Sequence, residues 1–411
     1  MIHELKEIYG EENAAEQAGR YASAAAEFKS MFGTEPERYF SAPGRTEVGG
    51  NHTDHNRGCV LAAGISLDII AAVKPTDDGI IRIKSRGFPL DAVDISDLDI
   101  KDEEDGTSAA LIRGVAAGLK KRGYNIGGFS AYTTSNVLKG SGLSSSAAFE
   151  VLVGTIINGL FNNSEISPVE IAQISQFAEN IYFGKPSGLM DQMASSVGSF
   201  ITIDFKDPAN PVIEAIDLDF SETGHRLCIV DTKGSHADLT PDYAAIPGEM
   251  KAVAGYFGKD ALRDVDRAEV IAHIPELRAQ FGDRAVLRAM HFFGDNERVG
   301  RQAAALKAHD FRQFLSLVNE SGDSSYKYLQ NIFSPAHPNE QGLALALFIA
   351  NDVLRGEGAC RVHGGGFAGT IQAFVPEDKL AYFKRRMETV YGKGSCYVLS
   401  VRPFGGTEVA L

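Results

Sequence analysis

Four short segments of the chain concentrate residues that could do chemistry. Gly140, Ser141, Gly142, Leu143, Ser144, Ser145 and Ser146 run straight into an apolar helical pattern. A helix N-terminus offers unpaired N–H groups and partial positive charge, and glycine lets an anion approach the backbone. Serine hydroxyls add donors or a metal ligand. The segment predicts phosphate binding, against the plainer reading of a capped loop, and it lacks the Gly-Lys-Ser/Thr ending of a Walker A loop. Residues 364–369, GGGFAG, match GxGxxG, but near the C-terminus and ahead of a strand-like stretch. A dinucleotide fold does not place the motif there. A tight loop that closes on a ligand or another loop is expected, with a plain β-turn as the alternative. Residues 42–56 gather Arg45, Asn51, His52, Asp54, His55 and Asn56 in a short span. Such density of directional donors and acceptors suits a hydroxyl-rich ligand. Metal binding by His52, Asp54 and His55 would need a further ligand that no regular spacing supplies, and an Asx-turn-rich surface loop is the bland reading. Finally, Asp191 follows a Gly-rich turn at 184–188; alone it would be an N-cap, and a catalytic role needs company.

The elements that must position these residues are partly legible. The first 35 or so residues read as helix. The β-prone stretches 67–75 and 80–85 flank Thr76-Asp77-Asp78-Gly79 and predict a hairpin. Residues 108–121 form an amphipathic helical pattern, with Thr107 or Ser108 as N-cap and Gly123 as the stop. Ser167, Pro168 and Glu170 spell a capping box with proline at the first helical position, starting a helix to about Tyr182. Strands are expected at 129–135, 199–205, 370–375 and 395–403. A turn-rich stretch at 205–222 suggests a boundary between domains at 1–210 and 211–411. Strands mixed with helices in both parts indicate an α+β or α/β fold.

The 411 residues carry 40 Lys+Arg against 54 Asp+Glu, a formal charge of −14. This balance argues against nucleic acid or an anionic membrane as partner. Phosphorylated ligands remain possible, because local arginine and backbone N–H groups can hold them. No stretch approaches the ~20 apolar residues of a membrane span. The N-terminus shows no apolar signal core, and the four cysteines have no metal-type spacing, so a cytoplasmic protein with reduced thiols is expected.

Together, and in this order, the segments resemble the galactokinase branch of the GHMP small-molecule kinases. The sugar-kinase signature GRVNLIGEHTDYN stands here as GRTEVGGNHTDHN at 44–56. The phosphate loop stands as LKGSGLSSSAA at 138–148, the G-x-M-D-Q segment as GLMDQ at 188–192, and the third motif as GGGFAG. The resemblance spans essentially the whole chain. It implies a two-domain α+β GHMP kinase fold, with a ribosomal-S5-like N-terminal domain and a ferredoxin-like C-terminal domain. The implied reaction moves the ATP γ-phosphoryl group to the anomeric hydroxyl of galactose. Asp191 and Arg45 match the catalytic pair, and Ser146 and Glu179 the Mg²⁺ ligands. Residues 140–146 match the nucleotide loop, and Asn51, His52, Asp54, Gly188 and Tyr243 fall at sugar-binding positions. The implied partners are a sugar and a nucleotide, and a monomer is expected.

Two departures bear on specificity. The family's Glu, which with the adjacent His helps hold the C6 hydroxyl, is Asn51 here, and its Tyr is His55. Asn can donate a hydrogen bond whereas Glu only accepts, so a C6-modified sugar such as galacturonate is an alternative substrate. The aromatic residues that some galactokinases set against adenine are replaced by Ser108 and Leu111, and the chain has no Trp. A non-catalytic sugar sensor is the alternative from a different class. The intact Asp191, Arg45, Glu179 and Ser144–Ser146 argue against it.

Overall fold

The computed structural model describes residues 2–137, 143–185, 187–234 and 239–411. Gly140, Ser141 and Gly142 of the expected nucleotide loop therefore lie outside the described residues.

Among the described residues, nine strands form one sheet. Its main path runs Ile2–Glu4, Thr407–Ala410, Arg38–Gly49, Cys59–Thr76, Gly128–Ser135, Ile80–Ser85 and Leu90–Asp94. Phe200–Asp204 pairs with the beginning of the long strand Cys59–Thr76, and Val212–Ile216 continues outward from it. Helices Ser108–Lys121, Ser145–Phe161 and Pro168–Phe177 pack with this sheet around a shared core that includes Ile112, Val115, Leu152, Ile156 and Ile174, while the helix Met190–Val197 buries Met190, Met193 and Ala194 against Val60, Ala62 and Ile201. Thr107 caps the first of them through Ala110 N–H, and the Ser167–Glu170 capping box opens the third with Pro168 at the start. The helix Glu11–Phe32 buries only a narrow stripe, Tyr21, Ala24 and Phe28, against Ile70, Ala72 and Tyr132. Each fully buried aromatic of this kind contributes about 1.5–3 kcal/mol.

The second sheet orders Ala359–His363, Thr370–Pro376, His225–Asp231 and Cys396–Leu399, all antiparallel. With helices Gly342–Leu354 and Glu377–Tyr391 the chain order is βαββαβ, the split pattern of ferredoxin-like folds. A helical insertion after the first strand carries the long helix Asp283–Lys307.

Three expectations change. The hairpin at 76–79 does not form. Gly128–Ser135 inserts between the two stretches, antiparallel to 69–76 and parallel to 81–85. Gly128 permits this, because a Cβ there would lie 2.8 Å from Thr76 Oγ1 and 2.9 Å from Ile80 N. The true hairpin is Ile80–Ser85 with Leu90–Asp94. The opening helix is broken at Gly10 (φ 81°) and preceded by the short edge strand Ile2–Glu4. Sheet membership also crosses the boundary expected at 210, since Val212–Ile216 and Thr407–Ala410 both belong to the N-terminal sheet.

Candidate active site

The strand Arg38–Gly49 is the organising element. Its residues 43–45 hold two other segments at once. Ser195, on the helix Met190–Val197, donates to Pro43 O at 2.6 Å. Arg45 N–H donates to Leu143 O at 3.2 Å. Gly44 makes this closeness possible: a Cβ there would sit 2.9 Å from Leu143 O. The strand thus brings the serine turn and the Asp191 helix to one place.

Asp191, in the first turn of its helix, accepts from Arg45 Nε at 2.7 Å through Oδ1 and from the Ser144 hydroxyl through Oδ2. The Arg45 side chain is 9% exposed and that of Asp191 30%, so the carboxylate is the member facing open space. Burial alone would raise the Asp191 pKa. The Arg45 charge, with hydrogen bonds from Arg45 and Ser144, outweighs burial and holds it below the usual carboxylate range.

Ser146, two residues beyond Ser144, donates to Glu179 Oε1 at 3.1 Å. Glu179 lies on a π-helical turn, Ala178–Tyr182, that continues the helix Pro168–Phe177. Such turns are concentrated at functional sites. Its outer oxygen Oε1 also meets Lys185 Nζ at 2.8 Å, and its inner oxygen Oε2 accepts from Gln192 Nε2 at 2.7 Å. Gln192 bridges inward to Glu150 at 3.1 Å. Burial, reinforced by the nearby Glu179 charge, raises the Glu150 pKa well above the ordinary carboxyl value. Ser144 and Ser146 therefore each bind a different carboxylate from one helix start. Ser145 opens the helix between them.

The polar loop after Gly49 closes on GGGFAG, as a tight loop was expected to do. His52 Nε2 lies 2.9 Å from Gly365 O and must donate its proton there. Burial, then the neighbouring His55, pushes His52 down to about 4, so the ring is neutral near pH 7 and Nδ1 is an acceptor. Tyr243 OH donates to Gly366 O at 2.8 Å. Asp54 lies against Gly188, where a Cβ would be 3.0 Å from Asp54 Oδ2. His52 and Tyr243 thus both meet the GGGFAG loop, and Asp54, two residues beyond His52, lies against Gly188. His52, Asp54, His55 and their neighbours build no metal cluster among the described residues.

Asn51 departs from expectation. It is wholly buried, and its amide is engaged on every side by protein. Nδ2 donates to Glu47 Oε1 at 2.9 Å and to Gly364 O at 2.8 Å, while Oδ1 accepts from Asn331 at 2.8 Å and from Ser325 at 3.3 Å. Its backbone is clamped from the helix Asp283–Lys307. Asp295 Oδ2 accepts Gly50 N–H and Asn51 N–H at 3.1 and 2.8 Å, and His291 Nε2 donates to Asn51 O at 2.9 Å. Glu47 in turn pairs with buried Arg361 at 2.8 Å. Sequence reading missed Glu47, His291, Asp295, Asn331 and Arg361. The one available signal was the i,i+4 spacing of His291 and Asp295, which sets both on one helix face. Of the two positions expected against adenine, Ser108 donates to Asp91 at 2.6 Å and Leu111 is buried.

The galactokinase galactose-binding signature matches residues 26–75, and the GHMP kinases N-terminal domain matches 110–199. The galactokinase of Streptomyces coelicolor is 32% identical over 351 residues, covering 85% of this chain and 87% of that protein. The chain belongs to the galactokinase family. A galactokinase of Glaesserella parasuis is 32% identical over 375 residues, covering 89% and 92% of the two chains. The crystal structure of Lactococcus lactis galactokinase complexed with galactose superposes with a TM-score of 0.78 at 25% identity, over 94% of this chain and 99% of that one. A mevalonate kinase shares the fold at a TM-score of 0.63 and 15% identity, over 89% and 99%. The galactokinase signature covers the strand and loop that carry Arg45 and the His52–Asp54 cluster. The GHMP domain covers the serine turn, Glu179 and Asp191. No helix among the described residues is long and apolar enough to cross a membrane.

Proposed function

We propose that the chain is a galactokinase that transfers the ATP γ-phosphoryl group to the anomeric hydroxyl of galactose. The observation that carries this reading is the Asp191 carboxylate, ionised by Arg45 and open on one side to the cleft. Phosphoryl transfer passes through a loose transition state, so catalysis is mostly positioning and charge stabilisation. Each Asp191 oxygen keeps acceptor capacity beyond its bond to Arg45 or Ser144. The carboxylate orients the anomeric O–H and accepts its proton as the oxygen bonds to the γ-phosphorus and the bond from that phosphorus to the departing ADP oxygen breaks. A group held at low pKa is a weak base, which suits accepting a proton late, when the sugar oxygen has already lost electron density. Arg45 also stabilises charge developing on the transferring group.

The nucleotide phosphates lie along the serine turn at the start of the helix Ser145–Phe161. His52, Asp54, Gly188 and Tyr243 surround the sugar, with neutral His52 Nδ1 as a hydroxyl acceptor. Ser146 and Glu179 offer one hydroxyl and one carboxylate, a hard-oxygen set that fits Mg²⁺, which takes one or two carboxylates and completes its shell from phosphates and water. When bound there, Mg²⁺ neutralises phosphate charge.

The reading of a C6-modified sugar rested on the Asn51 amide facing substrate. That amide is consumed inside the protein, and it carries no such preference. The relatives named above are galactokinases, and galactose is the substrate of choice. The cysteines are free thiols, in keeping with the cytoplasm. The test is ADP release with galactose, galacturonate and glucose offered separately. Turnover on galactose alone supports the assignment, and no ADP release with any sugar overturns it.

A further inference from the structure

The mechanism above leaves one charged group of the site without a task. Lys185 follows Gly184 (φ 76°) directly after the π-helical turn, and its backbone N–H donates to Glu179 O at 3.1 Å. The short return folds the side chain back over Glu179, with Nζ 2.8 Å from Oε1. The two partners differ sharply in exposure. The Glu179 side chain is 2% exposed and that of Lys185 57%. The carboxylate is a fixed part of the interior, gripped from behind by Gln192, while the ammonium is the outer, movable member.

Glu179 Oε1 is also the oxygen that Ser146 touches, so a divalent cation using Ser146 and Glu179 needs the position Lys185 now covers. A cation and an ammonium cannot both lie against one oxygen without strong repulsion. The four-carbon stem of lysine lets the head group swing aside while the backbone stays anchored. Its new surroundings are set by the turn itself. Ser144 and Ser146 are two residues apart, and they bind Asp191 and Glu179 respectively. The gap between those two carboxylates is where a phosphoryl group must travel from nucleotide to sugar. Among the described residues, Lys185 is a cation beside that gap with a largely exposed side chain, whereas Arg45 is buried against Asp191.

We propose that Lys185 exchanges partners during the reaction: it screens Glu179 before the metal–nucleotide complex enters, and afterwards it contacts the transferring phosphoryl group. The proposal rests on the kinase reading and adds to it a catalytic residue and a competition with the metal. No bond is made or broken by Lys185; it contributes charge only.

Two measurements test it, on the full chain with Lys185→Met and Lys185→Arg. In steady-state assays Lys185→Met should lower kcat about 10²-fold, the worth of one donor at a developing anion, with the galactose KM little changed. Lys185→Arg should recover part of the loss. In Mn²⁺ titrations followed by electron paramagnetic resonance, without nucleotide, Lys185→Met should bind Mn²⁺ about 2- to 5-fold more tightly, the equivalent of removing one half-exposed ion pair. Unchanged kcat in Lys185→Met, with unaltered Mn²⁺ affinity, overturns the proposal and leaves a surface ion pair. A lower kcat with weaker Mn²⁺ binding also overturns it, since Lys185 would then support the metal site rather than compete for it. Wild-type turnover is the separate control: its absence defeats the kinase reading, while its presence with an unaffected variant defeats only the role of Lys185.

Discussion

Arg45 Nε and Asp191 Oδ1 meet at 2.7 Å although 146 residues separate them in the chain. The guanidinium is buried behind the carboxylate, so removing either partner changes what the other can do. Asp191→Asn keeps shape and one acceptor but loses the charge. It should reduce turnover by at least ~10²-fold while leaving nucleotide affinity within a few-fold of wild type. Isothermal titration with ADP beside an activity assay separates the two. Near-normal turnover in this variant would remove Asp191 from the mechanism.

The same pair sets a pH dependence. Burial raises the Asp191 pKa, and Arg45 first, then Ser144 and the Lys185 charge, bring it below the ordinary value. Wild type should therefore keep kcat/KM constant from neutral pH down to the carboxylate range. In Arg45→Met the largest influence opposing burial is gone, and the acidic limb should move to higher pH. A pH–rate profile of the residual activity reads this directly, and an acidic limb in the same place would show that Arg45 does not ionise Asp191.

Gly44 offers a geometric test. Its absent Cβ is what allows Leu143 O to reach Arg45 N–H. Gly44→Ala must push the serine turn away from the strand, because the obstructing atom is backbone. Overpacking of this kind destabilises by about 1–3 kcal/mol. The displaced turn should also lower kcat more than it raises the galactose KM. Thermal unfolding and steady-state kinetics together decide it, and equal kcat in the two proteins would mean that the turn need not touch the strand.

How much of this was readable in the sequence follows from the range of each interaction. The serine turn, Asp191 and the His52–Asp54 loop stand out in the sequence as candidates because the chemistry proposed for them demands particular residue types in short runs. Caps at Thr107 and Ser167 were legible for the same reason. The hairpin at 76–79 misled because a local turn signal says nothing of a strand arriving from 128–135. The clamp behind the sugar loop was hidden for a similar cause. Asn51 meets Asn331, and Glu47 meets Arg361, across some 280 and 314 positions. No spacing rule reaches that far. Position 51 was therefore read as a substrate contact, when its neighbours in space make it a scaffold.

That scaffold is testable through Glu47 and Arg361, which pair at 2.8 Å deep between the two sheets. Breaking a buried ion pair leaves an uncompensated charge, which costs about 3–5 kcal/mol. Arg361→Met should destabilise by that order, measured by urea denaturation. Adding Glu47→Gln removes the stranded charge and should restore a good part of the loss. If the double variant is as unstable as the sum of the single ones, the two residues are not coupled.

His363 gives the stability a predicted response to acid. It sits on the strand Ala359–His363, fully enclosed, with Nε2 3.1 Å from Thr46 Oγ1 and Nδ1 2.9 Å from Thr370 Oγ1. Burial, followed by the charges of Arg45 and Arg361, pushes its pKa from 6.5 down to about 3. A depressed value means that the native state refuses a proton the unfolded chain accepts. The contribution to stability is complete above pH 6.5 and is lost as the pH falls from there towards 3. Each pH unit inside that window removes about 1.4 kcal/mol, hence about 2 kcal/mol at pH 5. His363→Gln keeps a donor and an acceptor but does not titrate. Relative to wild type it should be less stable at pH 7.5, and the gap should narrow steadily by pH 5. Denaturation curves that stay parallel across this range would show that position 363 plays no part in the acid response.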